Sequence, residues 1–200
     1  MKNKRGTIVV EDARILLHQA YCGKQHILRV QAPNITGLAR PGSFVHVRCD
    51  ESLPMRRPMS IMRVSTQEGW LEMLYKQVGP GTKALASRSE GEVLNLIGPI
   101  GVPFKVDNTT TRPLLLGGGV GIPPMLFLAD SLRHRLDEIE PLVLMGSEVA
   151  FPFELNRSAT PLTGIPNEVD KSLALTDSWE IPSRLCSLAG FPGCFEGYIS

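Results

Sequence analysis

Residues 112–126, Arg-Pro-Leu-Leu-Leu-Gly-Gly-Gly-Val-Gly-Ile-Pro-Pro-Met-Leu, carry the residue types of a phosphate seat. Gly117, Gly118, Gly119 and Gly121 surround Val120, and glycine lets a backbone turn sharply and approach a ligand closely. Pro123 and Pro124 suit the first turn of a helix, where a missing N–H costs nothing. The apolar run Leu114–Leu116 predicts a parallel strand covered on both faces. Strand, glycine turn and helix start together favour an anion. The spacing is not Gly-x-Gly-x-x-Gly, because prolines stand where the third glycine would be. A strand-to-helix turn with no ligand has the same spelling, so both readings stay open here.

A second group of candidates lies upstream. In Arg56-Arg-Pro-Met-Ser-Ile61, Arg57 and Ser60 flank Pro58-Met59, so a stiff extended turn offers a guanidinium and a hydroxyl to one phosphate. The plain alternative is a solvated turn. Leu74-Tyr75-Lys76 closes an apolar run with a second cation, and Gly79-Pro-Gly81-Thr82 opens a short helix with backbone donors and a hydroxyl. Each piece is weak alone, and their succession in one small domain is the signal.

These residues must be held by two kinds of framework. Up to residue 100 the pattern alternates like antiparallel strands, predicted at Thr7–Leu17, His26–Gln31, Phe44–Arg48, Met59–Val64, Trp70–Gln77 and Val93–Leu96, with a short helix over Gly81–Ser87. Turn residues such as Pro33-Asn34, Pro41-Gly42, Glu68-Gly69 and Glu90-Gly91 separate them. Six short strands predict a small antiparallel barrel. Beyond Gly98-Pro-Ile-Gly101 the period changes. A strand at Leu114–Leu116, a helix over Pro123–Leu136 and strands at Leu142–Met145 and Ser172–Leu175 predict a parallel α/β sheet. The expected domains are 1–102 and 111–200, with the polar loop Asp107–Thr111 at the join and the second domain incomplete at its C-terminus.

Composition excludes other classes. The 200 residues carry 21 basic and 20 acidic side chains, a net charge of +1, which gives no electrostatic case for nucleic acid or a membrane surface. The basic start Met1–Arg5 is followed by an apolar stretch broken by Glu11, Asp12 and Arg14, so neither a signal-peptide core nor a membrane span is expected, and the reading is cytoplasmic. Cys22, Cys49, Cys186 and Cys194 are scattered without a Cys-x-x-Cys pair, so free thiols and no metal ligands are expected. His18, His26, His46 and His134 show no ligand spacing and are read as structural.

Taken in order, Pro41-Gly-Ser-Phe-Val45, Arg57-Pro-Met-Ser60, Leu74-Tyr-Lys76, Gly79-Pro-Gly-Thr82, Gly98-Pro-Ile-Gly101 and Gly117-Gly-Gly-Val-Gly121 with Pro123-Pro124 resemble the ferredoxin–NADP reductase superfamily over residues 5–130. Within it, the Arg-Arg-Pro-x-Ser-Ile form and the Gly-x-Gly-Thr helix start are most similar to the electron-transfer subunits of NAD-linked dihydroorotate dehydrogenase. The resemblance implies an oxidoreductase, with an FAD-binding barrel followed by an NAD-binding α/β domain. FAD would be held by Arg57, Pro58, Met59, Ser60, Leu74, Tyr75, Lys76, Gly81 and Thr82, and NAD(P) by Gly117–Gly121 and Pro123. Met59 stands where many relatives place a tyrosine against the flavin ring. The chemistry implied is hydride exchange between nicotinamide and flavin, which needs no catalytic acid or base. It further implies a partner subunit carrying FMN, in pyrimidine synthesis. Residues Gly190–Ser200 resemble the segment after the third nucleotide strand, and the family continues to a cysteine cluster for a [2Fe–2S] centre that has no ligands in this sequence. A stand-alone NAD(P)H:flavin or ferredoxin reductase, and a flavoprotein scaffold without redox work, are the alternatives. Glu148, after the second strand, disfavours a 2′-phosphate, whereas Arg157 nearby leaves NADP open.

Overall fold

The computed structural model describes residues 7–158 and 160–199. Met1–Arg5 and Ser200, which entered the sequence reading, lie outside the described residues. Two compact units divide the chain, Met1–Phe104 and Lys105–Ser200.

The first unit is a closed barrel of strands β1 (Val9–Tyr21), β2 (Gln25–Gln31), β3 (Phe44–Arg48), β4 (Arg57–Ser65), β5 (Trp70–Lys76) and β6 (Val93–Ile100), in the order β1-β2-β5-β4-β3-β6. All neighbours are antiparallel. Alternation places Ile15, Leu28, Ile61, Leu71, Met73, Leu94 and Leu96 in the core, each at most 1% exposed. Closure leaves no free sheet edge. Strands β1, β4 and β6 run past their expected ends, to Tyr21, Ser65 and Ile100, while β3 has its expected bounds and β5 ends one residue early, at Lys76. Helix α1 (Pro33–Leu38) occupies a stretch read from sequence as a turn. Pro33 there sits at a helix start, and buried Ile35 and Thr36 anchor the segment. Helix α2 (Pro80–Ala86) follows β5.

The second unit has a three-stranded parallel sheet of β7 (Leu114–Gly118), β8 (Leu142–Gly146) and β11 (Ser183–Cys186), ordered β11-β8-β7. The third parallel strand is therefore not Ser172–Leu175. That stretch forms β10 (Lys171–Leu173), antiparallel to β9 (Leu155–Arg157), and runs into helix α4 (Ala174–Asp177). The true third strand, Ser-Arg-Leu-Cys, has two polar residues in four and gives no apolar run to read. Helix α3 spans Ile122–Leu132 and tightens into a 3₁₀ turn at Arg133–Arg135, short of the expected end at Leu136. It buries Ile122, Leu126, Phe127, Ala129 and Leu132.

Cover on both faces of β7, expected from its leucine run, is not found. Leu115 is 2% exposed, whereas Leu114 and Leu116 on the opposite face are 56% and 45% exposed. An unbroken apolar run shows that both faces are apolar, not that both are covered. No helix among the described residues is long and apolar enough to cross a membrane.

Candidate functional site

Two phosphate seats were expected, one in each unit. In the first, strand β4 opens at Arg57 and pairs with β3 through Val47–Arg57, His46–Pro58, Val45–Met59 and Phe44–Ser60. Adjacent Arg56 and Arg57 have different fates. Arg56 donates from Nη1 to Asn95 O at 2.8 Å, and from Nη2 to Asn95 Oδ1. The Arg57 side chain makes no hydrogen bond or ion pair with any described residue, although it is half-buried. The other half-buried arginines of this unit are engaged: Arg29 and Arg63 by Glu72, and Arg88 by Glu92 and Val93 O.

Arg57 is also placed. A Cβ on Gly81 would lie 2.6 Å from its Nε and 3.1 Å from its Cγ, so the guanidinium arm crosses the first turn of α2. Only glycine permits that approach. The structure thus brings Arg57 together with Gly81, 24 residues on in sequence. In the first turn of α2, Lys83 N–H donates back to Gly79 O, while the amides of Gly81 and Thr82 have no intrahelical acceptor. Backbone donors beside an unpaired guanidinium are an arrangement that can receive an anion.

Thr82 differs from expectation. Its hydroxyl accepts from Val78 N–H at 2.9 Å and Gly79 N–H at 3.1 Å, and donates to Gly79 O at 3.2 Å. One donor and two acceptors exhaust a hydroxyl. Thr82 therefore serves the helix start with its side chain and offers a ligand only its N–H.

Of the remaining candidates, Pro58 is exposed and Ser60 half-buried, while Met59 is 6% exposed, so its thioether packs mainly inside the barrel. Leu74 and Tyr75 are buried and Lys76 is exposed, without an ion pair among the described residues. The Tyr75 hydroxyl lies 2.8 Å from His18 Nε2, and His18 Nδ1 lies 2.8 Å from Arg88 O. A carbonyl only accepts, so Nδ1 carries the proton and the tyrosine donates to Nε2. His26 stacks on the Tyr75 ring, 5.0 Å between centroids. Burial pushes the Tyr75 phenol up and holds His26 below the usual imidazole range, and His18 lowers His26 further whenever it is itself protonated. Sequence showed the strands carrying these residues but not that cross-strand pairing of His26 with Tyr75 would assemble them.

In the second unit β7 ends at Gly118 and the turn Gly119–Gly121 leads into α3. Gly119 has φ +51°, a conformation L side chains resist, and its surroundings are open. Gly117 has a packing role, since a Cβ there would meet Met145 Sδ at 2.7 Å and Gly121 O at 3.0 Å. A Cβ on Gly121 would meet nothing within 4 Å. Val120 is 83% exposed and Pro123 is buried. The prolines limit the helix as an anion site: Pro123 and Pro124 supply no N–H, and Ile122 N–H donates to Gly119 O. The donors left to a phosphate are the amides of the glycine turn itself. Glu148 is exposed, and Arg157, the cation that kept a 2′-phosphate open, is ion-paired with Asp170.

The four cysteines are free, with burial raising the thiols of Cys49, Cys186 and Cys194. Among the described residues no three His, Cys, Asp or Glu side chains are grouped to hold a metal ion.

A closed six-stranded barrel followed by a parallel α/β unit also occurs in solved reductases. A structure of an NADH-dependent reduced ferredoxin–NADP oxidoreductase matches 92% of this chain and 59% of its own, at TM-score 0.71 and 23% identity. A ferredoxin reductase in carbazole 1,9a-dioxygenase matches 90% of this chain and 50% of its own, at TM-score 0.66 and 20% identity. The fold is that of the ferredoxin reductases.

Sequence adds a second likeness. The chain is 37% identical over 127 residues to the dihydroorotate dehydrogenase B (NAD(+)) electron transfer subunit of Desulforamulus reducens, covering 62% of this chain and 48% of that protein. It is 35% identical over 136 residues to the subunit of the same name from Bacillus cereus strain G9842, covering 66% and 50%. The chain spans about half the length of the curated relatives it matches. No protein-family model matches it. The resemblance read from the motifs thus holds in both fold and sequence.

Proposed function

We propose that this chain is the flavin- and nicotinamide-binding part of an electron-transfer subunit, an FAD-dependent oxidoreductase that exchanges electrons with NAD(H). The observation that carries the reading is the unpaired Arg57 guanidinium laid across Gly81. The residues present fit FAD, because a half-buried cation beside two unsatisfied amides lacks only an anion. Arg57 would bind a phosphate of the FAD with charge-assisted hydrogen bonds, each contributing about 1.5–3 kcal/mol. The amides of Gly81 and Thr82 would complete the seat, Ser60 and the β5 end Leu74–Lys76 would hold the rest of the cofactor, and Pro58-Met59 keep the turn stiff. In the second unit, Gly117–Gly121 with Pro123 would receive the dinucleotide, with Gly119 supplying the turn and Gly121 the space. Arg157 being committed to Asp170 favours NAD over NADP. Bound FAD supplies two-electron exchange with the nicotinamide and one-electron exchange with a further acceptor.

The sequence relatives extend the proposal to a dihydroorotate dehydrogenase as the partner, and the motif resemblance adds FMN on that partner, an iron–sulfur relay and pyrimidine synthesis as the setting. The domains proposed are FAD-binding at 1–102 and NAD-binding at 111–200, in a cytoplasmic protein. Purified protein should carry flavin absorption bands, and Arg57→Ala should lose its flavin on a desalting column while keeping the wild-type circular dichroism. Full flavin occupancy in that variant would reject Arg57 as the anchor.

A further inference from the structure

A cavity of about 210 Å³ in the second unit has no part in this reading. Its wall includes Arg184, Thr160, Asn167, Leu162, Ile165 and Asp170. Arg184, on β11, is only 5% exposed, yet no carboxylate pairs with it among the described residues. Its Nη1 donates to Ser183 O at 2.7 Å and its Nη2 to Thr160 O, both neutral carbonyls, and its Nε has no partner. The one carboxylate on the cavity wall, Asp170, is held by Arg157. A buried charge lacking a counter-charge is costly, and the cost falls when an anion is supplied. Two of the five guanidinium hydrogens are used, which leaves donors in hand.

We infer that this cavity seats a small organic oxyanion, a carboxylate or a phosphate monoester, against Arg184. Size sets the class. The cavity has room for about seven waters at roughly 30 Å³ each, and it is smaller than the roughly 300–1,000 Å³ of sites that take drug-sized molecules. A dinucleotide does not fit. Leu162 and Ile165 suit a short carbon chain, while Thr160 and Asn167 supply polar atoms at the wall. Its wall shares no residue with either phosphate seat, so the inference does not depend on whether they hold FAD and NAD.

The test is a titration of the ¹⁵N-labelled full chain at constant ionic strength, with inorganic phosphate and separately with acetate. Saturable shifts are expected at the amides of Ile165, Asn167 and Val169. Half-saturation should rise at least about tenfold in Arg184→Met, and likewise in Leu162→Trp, which fills the cavity but leaves the guanidinium. Should Arg184→Met fail to fold, Leu162→Trp decides. A response to both anions, or to one alone, supports the site and tells carboxylate from phosphate chemistry. Shifts confined to Gly81 or the Gly119 turn, or an undiminished response in Leu162→Trp, overturn it.

Discussion

Two neighbouring arginines with the same side chain do different work because of what each can reach. Arg56 finds Asn95 on β6, one strand beyond β3, whereas Arg57 finds only the bare backbone of Gly81. The motif reading reached Arg57, Ser60 and Gly81 because their spacing alone suggests a phosphate seat. It could not see that the Thr82 hydroxyl is spent on the amides of Val78 and Gly79, because a side chain's direction depends on the turn that precedes it. Gly81→Ala tests the close approach. The glycine lies in helical backbone, so alanine is conformationally acceptable and favoured in a helix by about 1 kcal/mol. Its Cβ would nonetheless force Arg57 aside. Flavin affinity should fall about tenfold, or roughly 1.4 kcal/mol, with thermal stability unchanged or improved. Fluorescence titration of deflavinated protein measures this, and a wild-type dissociation constant would show that Arg57 does not need that path.

Elements were legible where one periodicity dominated. Barrel strands with one face in the core and one outside announce themselves by alternation, and β3 was read to the residue. The parallel sheet was harder. Strand β11 offers Ser183 and Arg184 in four residues, so its place came only from pairing with β8, while the apolar Ser172–Leu175 stretch went to a hairpin and a helix. The glycine turn shows the same limit: spacing located it but did not sort its glycines. Gly117 is for packing, Gly119 for backbone conformation, and Gly121 stands before open space. A valine at Gly119 would mix strain with steric exclusion, because φ is +51° there. Gly121→Val is the cleaner probe, with φ −84° and no atom within 4 Å of the new Cβ. It should cost under about 1 kcal/mol of stability at the helix cap and leave flavin content unchanged. NADH reduction of the flavin, followed by rapid mixing, should slow at least about tenfold. A rate equal to wild type would mean that the turn does not carry the nucleotide.

At the scale of the whole molecule, the change of period near residue 100 marks two units built on different physics. The barrel closes on itself, so its strands leave no unpaired edge and its apolar side chains have one interior to fill. Every FAD-phosphate contact proposed above lies within residues 57–82. The second unit buries one face of its sheet under α3 and leaves Leu114 and Leu116 more than two-fifths exposed on the other. Exposed apolar surface that is contiguous on a sheet marks a place for further contact or for aggregation. The two units should therefore behave differently when expressed apart. Residues 1–104 should fold as a monomer and bind FAD within about threefold of the full chain's affinity, under 1 kcal/mol of difference. Residues 105–200 should bind the dye anilinonaphthalene sulfonate more strongly per mole and associate with rising concentration in sedimentation. Leu116→Lys, on the exposed face, should suppress that association with little loss of stability, since surface substitutions usually stay within about 0.5 kcal/mol. A barrel that cannot hold FAD alone would show that the first unit's contacts do not suffice. A well-behaved monomeric second unit would show that its bare leucines are no interaction surface.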